Sequence, residues 1–532
     1  MECDVLVIGS GASGSALSWY LSENTNLKII CVEQGSWTSP NEYPSNFIDW
    51  EKRKRGEFSF DPKNRSDFRN FTYHDDDSPI KLSFFSGVGG STVLFSGHYP
   101  RFHPSDFKVK TLDGVASDWP ISYQDLEKYY NLNDLNIGVA GLEGDPAYPR
   151  IQNLLPPVPI GKMGVKIGNA FNKLGWHWWP SYSAINTSKR FQGSPCVNLG
   201  PCNTGCAQGA KSSSDIRYWP KSISNGVELI TKTRATRINI DDKDKITSVS
   251  VVDSLGKAEQ IHAKIYVLAC NALWTPHLLL NSTSSRFPAG LANRSGLVGK
   301  NLMLHPLAYL EGIVDEEIDS SVGPQGCCII SQEFFETNKS NEFLRGFTMQ
   351  VLRSPGPLET MERAISRSNA SFGATFHNDF ERIFNKTISL SMIIEDLPDE
   401  DNQVFLSDKL DSFGSYVPQI HYKLGENTKR IASHALKSGV RLMKEVGATD
   451  IIKYAPISNA GWHLMGTARM GDNPASSVTN KFGQCHDVSN LFVADSSLFP
   501  TSSSVNPAST IQALALFIAN HIALNFESLT TK

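Results

Sequence analysis

The chain has 532 residues, with 50 basic against 54 acidic side chains and a formal charge of −4. At about 150 residues per domain, that length corresponds to roughly three domain-sized units or two large interleaved ones. Hydrophobic residues make up 40% and charged residues 20%, which excludes disordered and fibrous classes; the near-neutral balance lacks the basic footprint of a nucleic-acid binder.

The first residues read ECDVLVIGSG, a strand that begins almost at the initiating methionine with no charged, apolar and cleavable leader before it. A cytoplasmic protein is the expectation. DVLVIG, SGASGSALSWYLSEN and LKIICVE then alternate strand, tight turn and helix, and strand. Within them Gly9-Ser10-Gly11-Ala12-Ser13-Gly14 matches the G-x-G-x-x-G dinucleotide fingerprint. Gly9 permits the tight turn, Gly11 lets backbone approach a pyrophosphate, and Gly14 allows close helix–strand packing. The helix start turns its positive end toward phosphate. Glu33 closes the second strand, where a carboxylate bonds a ribose hydroxyl and repels the 2′-phosphate of NADP. The fingerprint alone leaves NAD and FAD open.

Residues 35–79 are irregular, polar and aromatic, and a second Gly-rich stretch, GVGGS, follows at Gly87–Ser91. The segment from Trp119 to Pro220 is rich in Pro, Trp and turn dipeptides. Strand-like runs return at VELITKTRATRINI, ITSVSVVD and KIYVLAC; another irregular region spans about 314–455, and the chain closes on NLFVAD and a long apolar helix. That helix, Ala508 to Phe526, contains Gln512, Asn520 and His521, which are costly in lipid. It reads as a core helix, so no membrane span is expected. Dinucleotide-domain features scattered over both ends and the middle require two discontinuous domains.

The nine cysteines do not form a secreted disulfide pattern. Cys3, Cys31, Cys270, Cys327, Cys328 and Cys485 read as small buried hydrophobes. Cys196-x5-Cys202-x3-Cys206 lies in a Pro/Gly-rich loop, a spacing at which thiolates can hold iron–sulfur. Three ligands fall short of a closed zinc site. Plain thiols are the preferred reading, with a cluster or a labile disulfide as alternatives.

Near the end stand GWHLMGTARMG, with His463, and NLFVADSSLFPTSSSVNPASTIQALALF, with Asp495 and Asn506. Together with GSGASGS, GVGGSTVLFSGHYPRF at 87–102, ACNALWTPHLLLNS at 269–282 and VGKNLMLHP at 298–306, these segments resemble the glucose–methanol–choline oxidoreductase family of flavoenzymes. Asn271 and Thr283 depart from that family's signature. The resemblance implies an α/β fold (α+β overall), with a Rossmann-like FAD-binding domain over 1–107, 215–310 and 460–532. An interleaved sheet-plus-helices substrate domain takes 108–214 and 311–459. It also implies cofactor contacts at Gly9, Ser10, Gly11, Ala12, Ser13, Gly14, Glu33, Gly90, Ser91, Ala235, Asp495 and Pro507.

The same resemblance makes His463 and Asn506 the catalytic pair. Their chemistry stands without it. Histidine, with an ordinary pKa of about 6.5, can take the hydroxyl proton whose loss drives hydride from an alcohol carbon. An asparagine amide can hold the substrate oxygen. Asn506-Pro507 also reads as N-cap and first helical residue of the closing helix, whose positive end would favour a reduced, anionic flavin.

Some family members carry a histidine bonded to flavin where this chain has Leu94, so the FAD is expected to be non-covalent, with His98 the one nearby alternative. The cysteine loop is similar to that of electron-transferring sugar dehydrogenases, some of which hold a three-iron cluster. His305 reads as structural; His98, Arg101 and His103 read as anchors of the flavin loop. GWHWWP at 175–180 and Trp462 read equally as a substrate wall or as loop packing.

The expected function is oxidation of a small sugar, aromatic or primary alcohol to an aldehyde or ketone. A dehydrogenase is preferred to an oxidase, and oxygen, a quinone or an electron-transfer protein is the acceptor. A hydroxynitrile-lyase-type enzyme on the same FAD fold is the alternative.

Overall fold

The structure, a computed structural model, describes residues 1–67, 71–324, 326, 328–366, 370 and 372–531. Cys327 lies outside the described residues. Among the described residues three sheets organise the chain. The largest runs, edge to edge, through Glu228–Ile230, Ile29–Val32, Glu2–Ile8, Ala258–Leu268, Ile246–Asp253 and Thr233–Ile240. Ala258–Leu268 carries two kinds of pairing along one side. Its first half joins Ile246–Asp253 antiparallel, and its second half takes Leu491–Val493 parallel. Its other side pairs in parallel with Glu2–Ile8. A single long strand therefore splices chain segments from both ends and the middle into one parallel core, the Rossmann-like architecture expected.

The run VELITKTRATRINI splits into two strands around Lys232, whose φ of +53° breaks the extended chain. The closing helix, Ala508–Thr530, is four residues longer than its apolar run. It is long and apolar enough to cross a membrane, but Leu514, Leu516, Ile518 and Ile522 are fully buried in the core of the large sheet. Asn520 accepts a hydrogen bond from Tyr20 at 2.8 Å, and Thr510 bonds Tyr130 at 2.8 Å. Gln512, too, is held by protein, accepting from Tyr99 and donating to Ser214 at 3.1 Å.

The second sheet is antiparallel, in the order Asp450–Tyr454, Leu307–Ile313, Thr387–Ile394, Phe347–Leu352, Ile329–Ser331 and Trp179–Pro180. Side chains alternate between its faces. Leu310, Met349, Val351, Leu390 and Met392 pack under the helices Gly161–Leu174 and Glu426–Val446. The intervening Tyr309, Gln350, Leu352, Ser391 and Ile393 face a cavity instead. A small third sheet joins Gln403–Leu410, Tyr416–His421 and His74–Asp77.

The turn after the first strand is shaped by close approach. Gly9 sits at φ +104° and donates its N–H to the Val32 carbonyl at 2.9 Å. A Cβ on Gly14 would lie 1.9 Å from the Gly9 carbonyl oxygen. Gly14→Val is therefore expected to destabilise the fold by roughly 1–3 kcal/mol or more, the cost of overpacking. A fall in thermal midpoint by circular dichroism would report it; an unchanged midpoint contradicts the packing role.

Candidate active site

One cavity of about 750 Å³ runs from the Gly9–Ser13 turn to the inner face of the antiparallel sheet. Eleven of the twelve residues expected to touch cofactor line it: Gly9, Ser10, Gly11, Ala12, Ser13, Glu33, Gly90, Ser91, Ala235, Asp495 and Pro507. Gly14 lies behind the turn, where its role is to let the helix approach. The two Gly-rich loops meet at the cavity wall, since a Cβ on Gly90 (φ +53°) would come within 2.8 Å of Gly11 Cα. This space kept clear by glycine, joined to the backbone turn at the Ala12–Asn24 helix start, fits the phosphates and ring system of FAD. His98 adds a second fitting feature: it lines the cavity while buried, and among the described residues neither ring nitrogen has a hydrogen-bond partner. Burial pushes its pKa down to about 3, so the ring is neutral.

The two acids play unequal parts. Glu33 accepts from Ser10 N–H at 3.0 Å, Ser10 Oγ at 2.6 Å and Gly35 N–H at 2.8 Å, with one acceptor site of its four still open. Asp495 uses all four: Ser497 N–H and Oγ on one oxygen, Asn271 N–H and Thr275 Oγ1 on the other. It thereby fixes Asn271, whose backbone is left-handed at φ +71° and whose Oδ1 accepts from Leu273 and Trp274 N–H. The departure at Asn271 thus has a structural use at the start of the Asn271–Asn281 helix.

His463 and Asn506 are brought together at the far end, with His463 Nε2 3.5 Å from Asn506 Nδ2. The closing helix does not use Asn506 as its cap. Pro507 occupies the cap position, no side chain caps the helix, and Asn506 Oδ1 instead accepts from Gln350 Nε2 at 2.5 Å. The bond from Gln350 turns the Asn506 amide so that its NH₂ group faces His463.

His305, read from sequence as structural rather than catalytic, stands directly beside His463. It is fully buried, its Nδ1 lies 2.8 Å from His463 Nδ1, and its Nε2 lies 3.1 and 2.9 Å from the carbonyl oxygens of Ser502 and Ser503. Carbonyls only accept, so His305 Nε2 carries its proton and its Nδ1 is a lone pair. His463 must then donate from Nδ1, which leaves Nε2 bare beside Asn506. Burial depresses both rings, His305 to about 4 and His463 well below its ordinary value, the latter also through its neighbours His305 and His98. Two neutral imidazoles in fixed tautomers present one basic nitrogen.

Other expectations change. Trp176 packs on Phe334, Trp178 bonds Asn172 and Trp179 bonds the Leu142 carbonyl, so the 175–180 run is packing and not cavity wall. Trp462, edge-on to Phe60 at 4.7 Å, does line the cavity. Arg101 is an anchor, paired with Asp134 and bonded to Tyr123 and Asn131. His103 is an anchor too, stacked on Phe335. Cys196, Cys202 and Cys206 do not line the cavity, although Asn203 between them does. Among the described residues no group of three or more His, Cys, Asp or Glu side chains is placed to hold a metal. Beside them Lys211 ties the flavin loop down, donating to the carbonyls of Val93, Phe95 and Cys202.

Two family models, both described as GMC oxidoreductase, match residues 167–307 and 398–515. A 2-methyl-1,2-propanediol dehydrogenase of Mycolicibacterium austroafricanum is 37% identical, with 99% of this chain and 96% of that protein covered. The fructose dehydrogenase large subunit of Gluconobacter japonicus is 27% identical, with 98% of each covered. Among solved structures, pyridoxine 4-oxidase from Mesorbium loti superposes with a TM-score of 0.67 at 18% identity, over 98% of this chain and 99% of that one, a likeness of fold.

Asp495→Asn tests the four-bond carboxylate. A hydroxyl can turn to accept from the new amide, but a backbone N–H cannot, so one buried donor is orphaned at a cost of about 1–3 kcal/mol. Urea unfolding should show a lower midpoint with unchanged slope; an unshifted midpoint contradicts the assignment.

Proposed function

Because the chain belongs to the GMC oxidoreductase family, and so oxidises CH–OH groups with FAD, we propose that His463 is the base for a small alcohol and Asn506 its oxygen-binding partner. The observation that carries this reading is the proton order from the Ser502 and Ser503 carbonyls through His305 to His463. FAD, when bound, supplies the hydride acceptor; the Gly9–Ser13 turn, Glu33 and the Gly90 loop would hold it. The alcohol oxygen sits between Asn506 N–H and His463 Nε2, and Nε2 takes the hydroxyl proton. The imidazolium so formed keeps its Nδ1–H bond to His305, which positions the ring without touching substrate. Gln350 plays the same part for Asn506.

Leu94 at the attachment position supports dissociable FAD, so acid precipitation should leave the yellow colour in the supernatant. The diol dehydrogenase relative supports a dehydrogenase over an oxidase and favours a small polar alcohol. Free cysteines suit a reducing, cytoplasmic setting. Residues 1–107, 215–310 and 460–532 form the proposed FAD-binding domain and 108–214 with 311–459 the substrate domain. The division at 310 cuts the strand Leu307–Ile313, so we move it to 306.

His463→Ala should slow anaerobic flavin reduction by an alcohol by roughly 10²- to 10⁴-fold, the range of general-base catalysis, with FAD retained. Reduction at full rate sinks the proposal, and failure of any alcohol to bleach the wild-type flavin would favour the lyase alternative.

His305→Phe removes the acceptor that fixes the His463 tautomer, and should lower the same rate with FAD still bound, partly restored in His305→Gln. In the wild type, kcat/KM should fall with acidity only below pH 6.5, because a base with a depressed pKa stays neutral above it. An acid limb centred above pH 6.5 contradicts the buried, neutral pair.

A further inference from the structure

The cavity holds a buried cation that proton transfer at His463 does not use. Four cationic side chains line it: Lys54, Arg234, Arg353 and Arg363. Lys54 pairs with Glu359, Arg234 with Asp411, and Arg363 with Glu311 and Glu359. Arg353 is 5% exposed and, among the described residues, has no carboxylate partner. Among the described residues its guanidinium makes one hydrogen bond, Nη2 to the Pro159 carbonyl at 2.6 Å, and its buried Nε has none.

A buried guanidinium held by one carbonyl is costly, and the cost falls when an anion takes its remaining Nη donors. The backbone around it is cut back to leave room. Gly323, at φ +109°, would put a Cβ 2.5 Å from Nε, and Gly161 would put one 3.5 Å from Nη1. Arg353 also follows directly on the strand that carries Gln350, three residues earlier, the side chain that orients Asn506. Three residues of extended chain span at most about 10 Å, so charge recognition and alcohol chemistry lie within reach of one short molecule.

We propose that Arg353 is an anion subsite of this cavity and that the alcohol oxidised at His463 carries a carboxylate at its remote end. The substrate class is a hydroxy acid, a refinement that rests on the alcohol-oxidising reading above. A carboxylate fits better than a phosphate dianion, because the other three cavity cations already hold carboxylates and one guanidinium fork matches one carboxylate.

The test uses the FAD-loaded enzyme and a series of ω-hydroxyalkanoates of increasing length, each paired with the diol of the same length. At the best length the hydroxy acid should exceed its diol in kcat/KM by roughly 10- to 100-fold, the value of charged hydrogen bonds. Arg353→Gln should erase that ratio mainly through KM, and Arg353→Lys should keep part of it. A wild-type preference for the diol at every length, or an unchanged ratio in Arg353→Gln, overturns the subsite while leaving alcohol oxidation standing.

Unreactive alkanoates test the subsite without turnover. Saturable perturbation of the bound flavin spectrum is expected in the wild type, weakened at least tenfold by Arg353→Gln; its absence in the wild type also overturns the subsite. Failure of both diols and hydroxy acids to reduce flavin, with alkanoate still bound, counts against the alcohol reading and not against Arg353.

Discussion

The basic nitrogen of the site exists because two backbone carbonyls accept from one buried histidine. Everything that holds Ser502 and Ser503 in place therefore bears on the chemistry. Ser502 Oγ donates to the Asp396 carbonyl at 2.8 Å and accepts from Asp396 N–H at 3.1 Å. Ser503 adopts φ +60° and donates its Oγ to Asp106 at 2.8 Å. Asp106 is in turn paired with Arg345, fully buried, which also pairs with Glu395 and Asp113. Removing one member of such a buried ion group leaves an uncompensated charge, at a cost of several kcal/mol. The network thus ties the loop that carries the carbonyls to one end of the antiparallel sheet, where Phe347 pairs with Ile394, and a fault in it would reach the reaction as a displaced base.

The parts of this arrangement legible in sequence are those fixed by local geometry. The turn from Gly9 to Gly14, the acid at Glu33 and the closing helix declare themselves because spacing, backbone freedom and periodicity are short-range properties. His463 and Asn506 were legible only through a family resemblance, since a histidine in a loop has no signature of its own. Asn506-Pro507 shows the limit of local reasoning. The pair suits a helix cap, yet an amide oxygen makes the bond offered at the shortest reach, and that came from Gln350 across the sheet.

Gln350, His305 and Arg353 were not legible as site residues, for a common physical reason. Gln350 and Arg353 fall in the stretch 314–455 that reads as irregular, and His305 ends the apolar run NLMLHP, so in neither place does a polar side chain declare its partner. Its meaning lies in which face it occupies and what meets it there, and both are set by tertiary pairing. The aromatic run at 175–180 fails in the opposite sense. Its composition offers packing or a substrate wall equally, and the rings are only half-buried, Trp176 and Trp178 against the helix-covered core and Trp179 against the core of the large sheet.

That sheet explains how one scaffold keeps its core while its cavity changes. On Phe347–Leu352 and Thr387–Ile394 the residues under the helices, Met349, Val351, Leu390 and Met392, alternate with those facing substrate, Gln350, Leu352, Ser391 and Ile393. Period-two alternation separates stability from specificity one residue at a time. A substitution at a cavity-facing position alters shape or polarity where substrate lies and leaves the packed face intact. The parallel sheet offers no such freedom, because its strands are buried on both faces and present only their carboxyl ends to the cofactor. Substrate choice is therefore expected to reside in the antiparallel half of the cavity, and the proposed base, His463, stands where the two halves meet.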